Sequence, residues 1–412
     1  MNFIPELSYP REKIKILLLE QIHPAAQELL ASYGYTSVQA LKGALAEDEL
    51  IKALSGVHML GIRSKTELTE RVIASAPQLL AVGCFCIGTN QVNLTAAQKN
   101  GLTVFNAPFS NTRSVAELTL AEIVMLARKA AHKSQLLHQG IWDKSASACY
   151  EVRSKTLGIV GYGHIGGQVG VLAEAFGMRV VFYDILPKLA LGNAEQKSTL
   201  KEVLEVSDFV TLHVPENAQT KNMIGEQELS QMKKGACLLN LSRGTVVVID
   251  ALTKALQSKH LNGAALDVFP EEPESNDVPF TSSLCGLPNV ILTPHIGGST
   301  EEAQKNIARE VAAKLVKYSD TGSTTGAVNF PEIELPVVTK SHRILNIHKN
   351  VPGVLRDINK IIADAGGNIR SQYLSTTEEV GYLIIDIEQA VSAEIRSKME
   401  ALPTSIRTRI LF

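Results

Sequence analysis

The stretch IVGYGHIGGQVG, residues 159–170, constrains the fold more than any other part of the chain. Gly161, Gly163 and Gly166 form GxGxxG between an apolar run, LGIV, that reads as a strand and a run, GGQVGVLAEAFG, that reads as a helix. In that setting the first glycine permits a tight turn, the second admits a pyrophosphate close to the backbone, and the third lets the helix pack on the sheet. A helix start also offers N–H groups and a favourable dipole to phosphates. The next apolar run, MRVVFYD, ends in Asp184. An acidic residue there hydrogen-bonds an adenosine ribose and repels a 2′-phosphate, which favours NAD over NADP. His164 and Ile165 are turn residues beside the cofactor.

The tetrapeptide HIGG returns in ILTPHIGGST, residues 291–300, where His295 follows a strand-like run and a proline. That places it at the carboxyl edge of a sheet, where open α/β folds bind ligands. ACLLNLSRG brings Arg243 to the same kind of position, and AALDVFPEEP brings Asp267, Glu271 and Glu272. Oxidation of a hydroxy acid by NAD needs a base for the hydroxyl proton, a cation for the carboxylate, and a group that orients the base. His295 has a suitable pKa, Arg243 a planar fork matched to a carboxylate, and Glu272 a carboxylate able to hold the imidazole.

A chain of 412 residues, 45% of them hydrophobic, can build two or three domains. Forty basic and forty-two acidic residues, without long single-sign blocks, give no electrostatic footprint for nucleic acid or an anionic membrane. No apolar run approaches the roughly 18 residues of a membrane span, so a cytoplasmic protein is expected. The five cysteines, odd in number and without CxxC spacing, read as reduced core thiols with no metal; the two of CFC would face opposite sides of a strand. Strand-like and helical runs alternate over the first hundred residues and again from Lys155, the pattern of parallel α/β structure. Between them NTRSVAELTLAEIVMLARKAAHKSQLLHQG reads as one long helix with Ser, Asn or Thr as cap, closing at Gly140. TGSTTGAVNFPEIELPVVTKS reads as a linker to a last, small α+β domain.

With GCFCIGTNQV, FNAPFSNTRSVAEL, HVPENAQTKNMIG and NLSRGTVV added to these motifs, the chain resembles the D-isomer-specific 2-hydroxyacid dehydrogenases over almost its whole length. The resemblance implies an α/β architecture with a Rossmann-type, doubly wound NAD domain at 108–298. A discontinuous flavodoxin-like substrate domain would comprise 1–107 and a return segment that, with the linker, occupies 299–338. A C-terminal α+β, ferredoxin-like ACT domain would occupy 339–412. Arg243 would bind the substrate carboxylate, with His295 as acid/base and Glu272 as its partner. Beyond the glycine loop and Asp184, the cofactor contacts implied are His164, Ile165, His213, Val214, Pro215, Leu241, Ser242, Arg243, Asp267, His295, Gly297 and Gly298. Arg63, Ser64 and Lys65 would hold a phosphate, the Ile87 and Gly88 backbone would anchor the carboxylate, and Asn111 would make a further substrate contact.

The activity implied is NAD-dependent oxidation of 3-phospho-D-glycerate to 3-phosphohydroxypyruvate, the first step of L-serine biosynthesis, by a homotetramer. The tail's likeness to ACT domains implies L-serine as effector at His348, Asn350 and Asn368, with VVTKSHR as a hinge that lacks the expected adjacent glycines. Val351 stands where that likeness leads one to expect arginine. Two rival readings remain open. A dehydrogenase for an unphosphorylated hydroxy acid would not need Arg63 and Lys65, and an NAD-sensing interaction protein would need a peptide-binding surface.

Overall fold

The computed structural model describes residues 9–273, 277–335, 341–388 and 392–411. The chain forms two compact units, Met1–Ser110 with Gln304–Phe412, and Asn111–Ala303. In the first unit, strands β1 (Ile16–Leu18), β2 (Val38–Ala40), β3 (Met59–Ile62), β4 (Ala81–Cys84) and β5 (Thr103–Phe105) form a parallel sheet in the order β2-β1-β3-β4-β5. This is the flavodoxin-like order. The consecutive residues of β1 serve different cores, Ile16 and Leu18 one and Leu17 the other, because side chains alternate across a strand.

The second unit carries β6 (Thr156–Val160), β7 (Arg179–Tyr183), β8 (Glu195–Gln196), β9 (Phe209–Leu212), β10 (Cys237–Asn240), β11 (Gly263–Leu266) and β12 (Val290–Leu292). Their order is β12-β11-β10-β9-β6-β7-β8, all pairs parallel. From β6 the chain first builds outward through β7 and β8, then crosses to β9 on the other side, so the topological switch point lies between β6 and β9. Leu157 and Ile159 face a core shared with the helix Thr112–Arg128, while Val160, Val210 and Leu212 face the opposite core. A one-residue slip would exchange the two faces of a strand, so burial on both sides fixes the register.

The long helix expected after residue 110 is two helices, Thr112–Arg128 and Ala130–His138, broken where Lys129 adopts φ +53°. The apolar stripe explains the break, since it ends at Leu126 and Ala127 and the second helix buries no residue. Asn111 is the N-cap residue, but its side chain makes no capping bond. The five cysteines are free. Cys84 and Cys237 are core residues as expected, whereas Cys285 is exposed and Cys86 lies past the end of β4, its thiol donating to the Gly88 carbonyl at 3.2 Å. The strand ends two residues before Cys86, so the alternation argument for CFC does not reach it.

The last part of the first unit holds β13 (His342–Lys349), β14 (Ile369–Thr376), β15 (Val380–Ile387) and β16 (Ser405–Ile410), an antiparallel sheet ordered β14-β15-β13-β16. With the helices Val354–Asp364 and Ser392–Glu400 this is a ferredoxin-like βαββαβ arrangement. Ile344, Leu383 and Ile385 pack under its own helices, while Leu345, Ile347, Tyr382 and Ile384 join the core of the first sheet. Both faces are thus covered, which is why β15 is buried along its whole length. Arg343, fully buried, forms a two-point ion pair with Asp386 (2.7 and 2.9 Å) and donates to the Thr321 carbonyl, tying this sheet to the end of the helix Glu301–Thr321.

The expected linker is a packed segment as far as Leu335. Phe330, Ile333 and Leu335 enter the core, and Asn329 completes the edge of β5 by accepting from Val104 N–H and donating to the Leu102 carbonyl. Its polar residues satisfy its own turns, as where the Thr324 hydroxyl donates to the Pro331 carbonyl. Val337, Val338, Thr339 and Lys340 of the expected hinge lie outside the described residues.

Candidate active site

Register aligns the site. Val160, Leu212, Asn240, Leu266 and Leu292 form one row across the second unit's sheet, with Tyr183 opposite Val160 on the other side. Because all strands are parallel, Gly161, Asp184, His213, Leu241, Asp267 and Thr293 form the next row at the carboxyl edge. Most of the expected site residues of this unit belong to that row or follow it within a few positions.

Gly161 turns the chain at φ +91°, and Gly163 is the N-cap residue of the helix His164–Ala175. A Cβ on Gly166 would lie 2.2 Å from the Gly161 carbonyl oxygen, so only glycine lets the helix start against this turn. A Cβ on Gly163 would meet nothing within 4 Å, leaving room for a ligand against the first-turn N–H groups. Asp184 accepts from Tyr162 N–H at 2.9 Å and Leu186 N–H at 3.0 Å. Each of its oxygens keeps a further lone pair, so it can fasten the glycine turn and still accept from a ribose. These residues fit a dinucleotide. His213, expected beside it with Val214 and Pro215, follows β9; its Nε2 lies 3.0 Å from the Thr211 hydroxyl, and burial pushes its pKa down to about 3. It is neutral at working pH and adds no charge there.

Three adjacent loops build the reacting end. After β10, the buried Asn240 accepts from Ser242 N–H and hydroxyl and donates to the Arg243 carbonyl, shaping the turn that carries Leu241, Ser242 and Arg243. After β11, Glu272 accepts from Phe269 N–H at 3.1 Å. A Cβ on Gly244 would lie 1.9 Å from the Phe269 carbonyl carbon, so these two loops touch only because residue 244 is glycine. After β12, His295 sits at φ +54° and its Nδ1 is 2.8 Å from Glu272 Oε2. Asp267, 1% exposed, fastens this last loop by accepting from Ile296 N–H, Gly297 N–H and the Thr293 hydroxyl at 2.6–2.8 Å. Asn111 packs against Gly298, where a Cβ would be 2.4 Å from its Nδ2. Sequence reasoning singled out Arg243, Glu272 and His295 but not Asn240 or Gly244, whose motif NLSRG carried the only signal.

The hydrogen bond with Glu272 raises the pKa of His295 above its ordinary value, outweighing burial. Burial works to raise the Glu272 carboxyl, but the His295 hydrogen bond and charge, Phe269 N–H and Arg243 hold it below its ordinary value. With Nδ1–H given to Glu272, the neutral ring presents the lone pair of Nε2 on a side chain that is 54% exposed. A reaction that uses this lone pair as a base is expected to show a kcat/KM that rises with pH through the His295 pKa. Glu272→Gln is expected to move this limb to lower pH and to lower the plateau by about tenfold or more. A pH profile of kcat/KM checks both, and an unmoved limb would separate Glu272 from the base.

Glu122, on the helix Thr112–Arg128, is fully buried, and neither carboxyl oxygen has a hydrogen-bond partner among the described residues. Burial, reinforced by the charge of Asp267, pushes its pKa up to about 8 from an ordinary 4.5. The unfolded chain therefore loses this proton first as pH rises. Stability fully present below about 4.5 drains away up to about pH 8. Glu122→Gln is expected to exceed the parent at pH 8 by about 4 kcal/mol, with the advantage gone near pH 4.5. Denaturation midpoints across that range test it, a pH-independent difference being the contrary result.

In the first unit, Arg63, Ser64 and Lys65 follow β3. The buried carboxylate of Glu20, beyond β1, accepts from the N–H groups of Arg63, Lys65 and Thr66 at 2.9–3.0 Å and fixes this loop. Ser64 and Lys65 are exposed and Arg63 is half-buried. Ile87 and Gly88 follow β4, and among the described residues their N–H groups have no acceptor. Glu20 gave no sequence signal, because its role depends on β1 and β3 being neighbours.

Of the expected effector residues, His348 is 3% exposed, with Nδ1 2.9 Å from Asn346 Oδ1, and faces Gly381 on β15. Asn350 is exposed just past β13 and donates to the Thr377 carbonyl. Asn368 precedes β14, whose first residue is level with Ile387 and His342. It therefore lies at the opposite end of the sheet from Asn350, about 25 Å away along the strands. One copy of the domain brings His348 and Asn350 to one end but not Asn368.

Among the described residues no group of three His, Cys, Asp or Glu is placed to hold a metal ion, and no helix is long and apolar enough to cross a membrane. Residues 120–297 match the family model for the D-isomer specific 2-hydroxyacid dehydrogenase NAD binding domain, and residues 344–407 that for an AHAS small subunit-like ACT domain. The chain is 55% identical over 409 residues to the D-3-phosphoglycerate dehydrogenase of Escherichia coli K12, covering 99% of this chain and 100% of that one. It is 52% identical to the D-3-phosphoglycerate dehydrogenase of Dictyostelium discoideum, with 99% and 100% covered. The crystal structure of D-lactate dehydrogenase from Aquifex aeolicus, complexed with NAD and lactic acid, superposes with a TM-score of 0.65 at 29% identity, covering 77% of this chain and 100% of that one.

Proposed function

Because the chain belongs to the D-isomer-specific 2-hydroxyacid dehydrogenase family, we propose that it oxidises the 2-hydroxyl of 3-phospho-D-glycerate, yielding 3-phosphohydroxypyruvate. The observation that carries this reading is the 2.8 Å pair of His295 and Glu272, joined through Gly244 to the Arg243 turn and set on the same strand edge as the glycine loop. NAD bound there supplies the hydride acceptor. His295 Nε2 takes the hydroxyl proton, Glu272 stabilises the resulting imidazolium, and Arg243 holds the substrate carboxylate. Asp267 keeps the histidine loop in place. The Glu20-fixed loop of the first unit offers Arg63 and Lys65, the cations that a phosphorylated substrate calls for, and the Ile87 and Gly88 amides suit an anionic oxygen.

The C-terminal ACT domain is assigned an L-serine site built from His348 and Asn350 of one copy with Asn368 of a second. The strand register supports this, since it separates Asn350 from Asn368 within one copy. A homotetramer of such pairs and a cytoplasmic location complete the proposal. The test is the initial rate of NADH-dependent reduction of 3-phosphohydroxypyruvate and of its unphosphorylated counterpart, each with and without L-serine. A strong preference for the phosphorylated acid, with suppression by serine, is expected. Preference for the unphosphorylated acid overturns the substrate, and indifference to serine overturns the effector.

A further inference from the structure

A cavity of about 570 Å³ lies within the first unit, between its parallel sheet and the ACT domain. One wall comes from Ile73, Pro77 and Leu80 around the start of β4, with Lys99 and Asn100 at the end of the helix Leu94–Lys99; the other comes from Arg396, Glu400 and the strand β16. Four cations line it, Lys99, Arg396, Arg407 and Arg409, against the single carboxylate of Glu400. Glu400 is already paired with Arg396 at 3.7 Å. That leaves Lys99, Arg407 and Arg409 without a carboxylate partner among the described residues.

Both arginines are built in. Arg407 reaches from β16 across the seam to the backbone carbonyls of Leu79 and Pro77. Arg409 lays its guanidinium 5.2 Å from the centre of the Tyr318 ring, and its Nη1 is buried without a hydrogen-bond acceptor. A buried guanidinium N–H with no acceptor costs free energy that surface arginines do not incur, so the seam is incomplete as a protein-only contact. Two half-buried forks and a lysine around one polar cavity match a small dianion with tetrahedrally disposed oxygens.

We propose that this cavity is a binding site for a phosphate-class dianion, inorganic phosphate or a short phosphate monoester, bridging the ACT domain and the first sheet. It is independent of the substrate and effector sites described above. Arg409 and Arg407 supply two guanidinium groups from β16, the second already fixed across the seam, and Lys99 adds a third charge.

The test is equilibrium dialysis of radiolabelled inorganic phosphate against the full-length chain at low ionic strength, with saturating NADH covering the glycine loop. Arg63→Gln/Lys65→Gln serves as background, so that the loop assigned to the substrate phosphate does not contribute. That protein is expected to retain phosphate binding, and adding Arg409→Gln is expected to weaken it about tenfold or more. Arg409→Lys, which keeps the charge and the packed stem, should fall between the two. Competition by glycerol 3-phosphate tighter than by unlabelled phosphate points to an ester as the ligand, and the reverse to free phosphate. Absence of millimolar binding in the background variant, or binding that Arg409→Gln leaves unchanged, overturns the proposal.

Discussion

His295→Asn is expected to lower kcat by about 10²–10⁴-fold while leaving NADH affinity within a few-fold of the parent. Asparagine is the informative replacement because residue 295 sits at φ +54°, a conformation that Asn adopts readily and most side chains do not. The backbone bonds from His295 N–H to the Asp267 and Thr293 carbonyls, and the clasp of Asp267 on Ile296 and Gly297, should survive. What disappears is the lone pair of Nε2 and the partner of Glu272. Steady-state kinetics with a separate NADH titration distinguish loss of the base from collapse of the loop. A kcat within tenfold of the parent would remove His295 from the chemistry, whereas a parallel loss of NADH affinity would recast it as structural.

Arg243→Ala should depress kcat/KM for the acid substrate by about a hundredfold or more, since it removes both prongs of the proposed charge-assisted contact. Arg243→Lys should recover little of this, because an ammonium supplies charge without the planar fork. The variant also has a signature in its pH profile. Arg243 works to lower the His295 pKa, so its removal moves the acidic limb of kcat/KM to higher pH, opposite in direction to Glu272→Gln. Opposed shifts from two residues on adjoining loops would place both charges at one imidazole, whereas shifts of the same sign would mean that they act through the fold.

What could be read without coordinates follows from where chemistry and periodicity leave a local mark. The glycine loop, Asp184, and the trio Arg243, Glu272 and His295 each sit at the end of an apolar run, and parallel strands bring such ends to one edge. The supporting residues leave no such mark. Glu20 clasps a loop more than forty positions away, and Asn240 looks like one more strand residue until its three hydrogen bonds are seen. The segment after Gly322 was misread because Gly, Ser, Thr and Pro signal turns whether or not those turns are buried. The break at Lys129 was missed because AAHKSQLLH keeps its helical propensity, while the loss of a buried apolar face there shows only in the fold. Strand register is equally invisible, and it decides that Asn350 and Asn368 lie at opposite ends of one domain.

The Gly244 contact has a consequence for how such a chain can diversify. With the Arg243 turn pressed onto the Phe269 loop, and Glu272 of that loop paired with His295, the proposed clamp and base form one fixed cassette in which little can change without disturbing the rest. Residues 63–65 and 87–88 stand outside that cassette, on strand ends of a separately packed sheet, held in shape by Glu20 and the neighbouring backbone. On the roles proposed above, mutation can therefore alter which acid is admitted while the oxidising apparatus is inherited intact, and substrate range becomes the variable part of an otherwise conservative design.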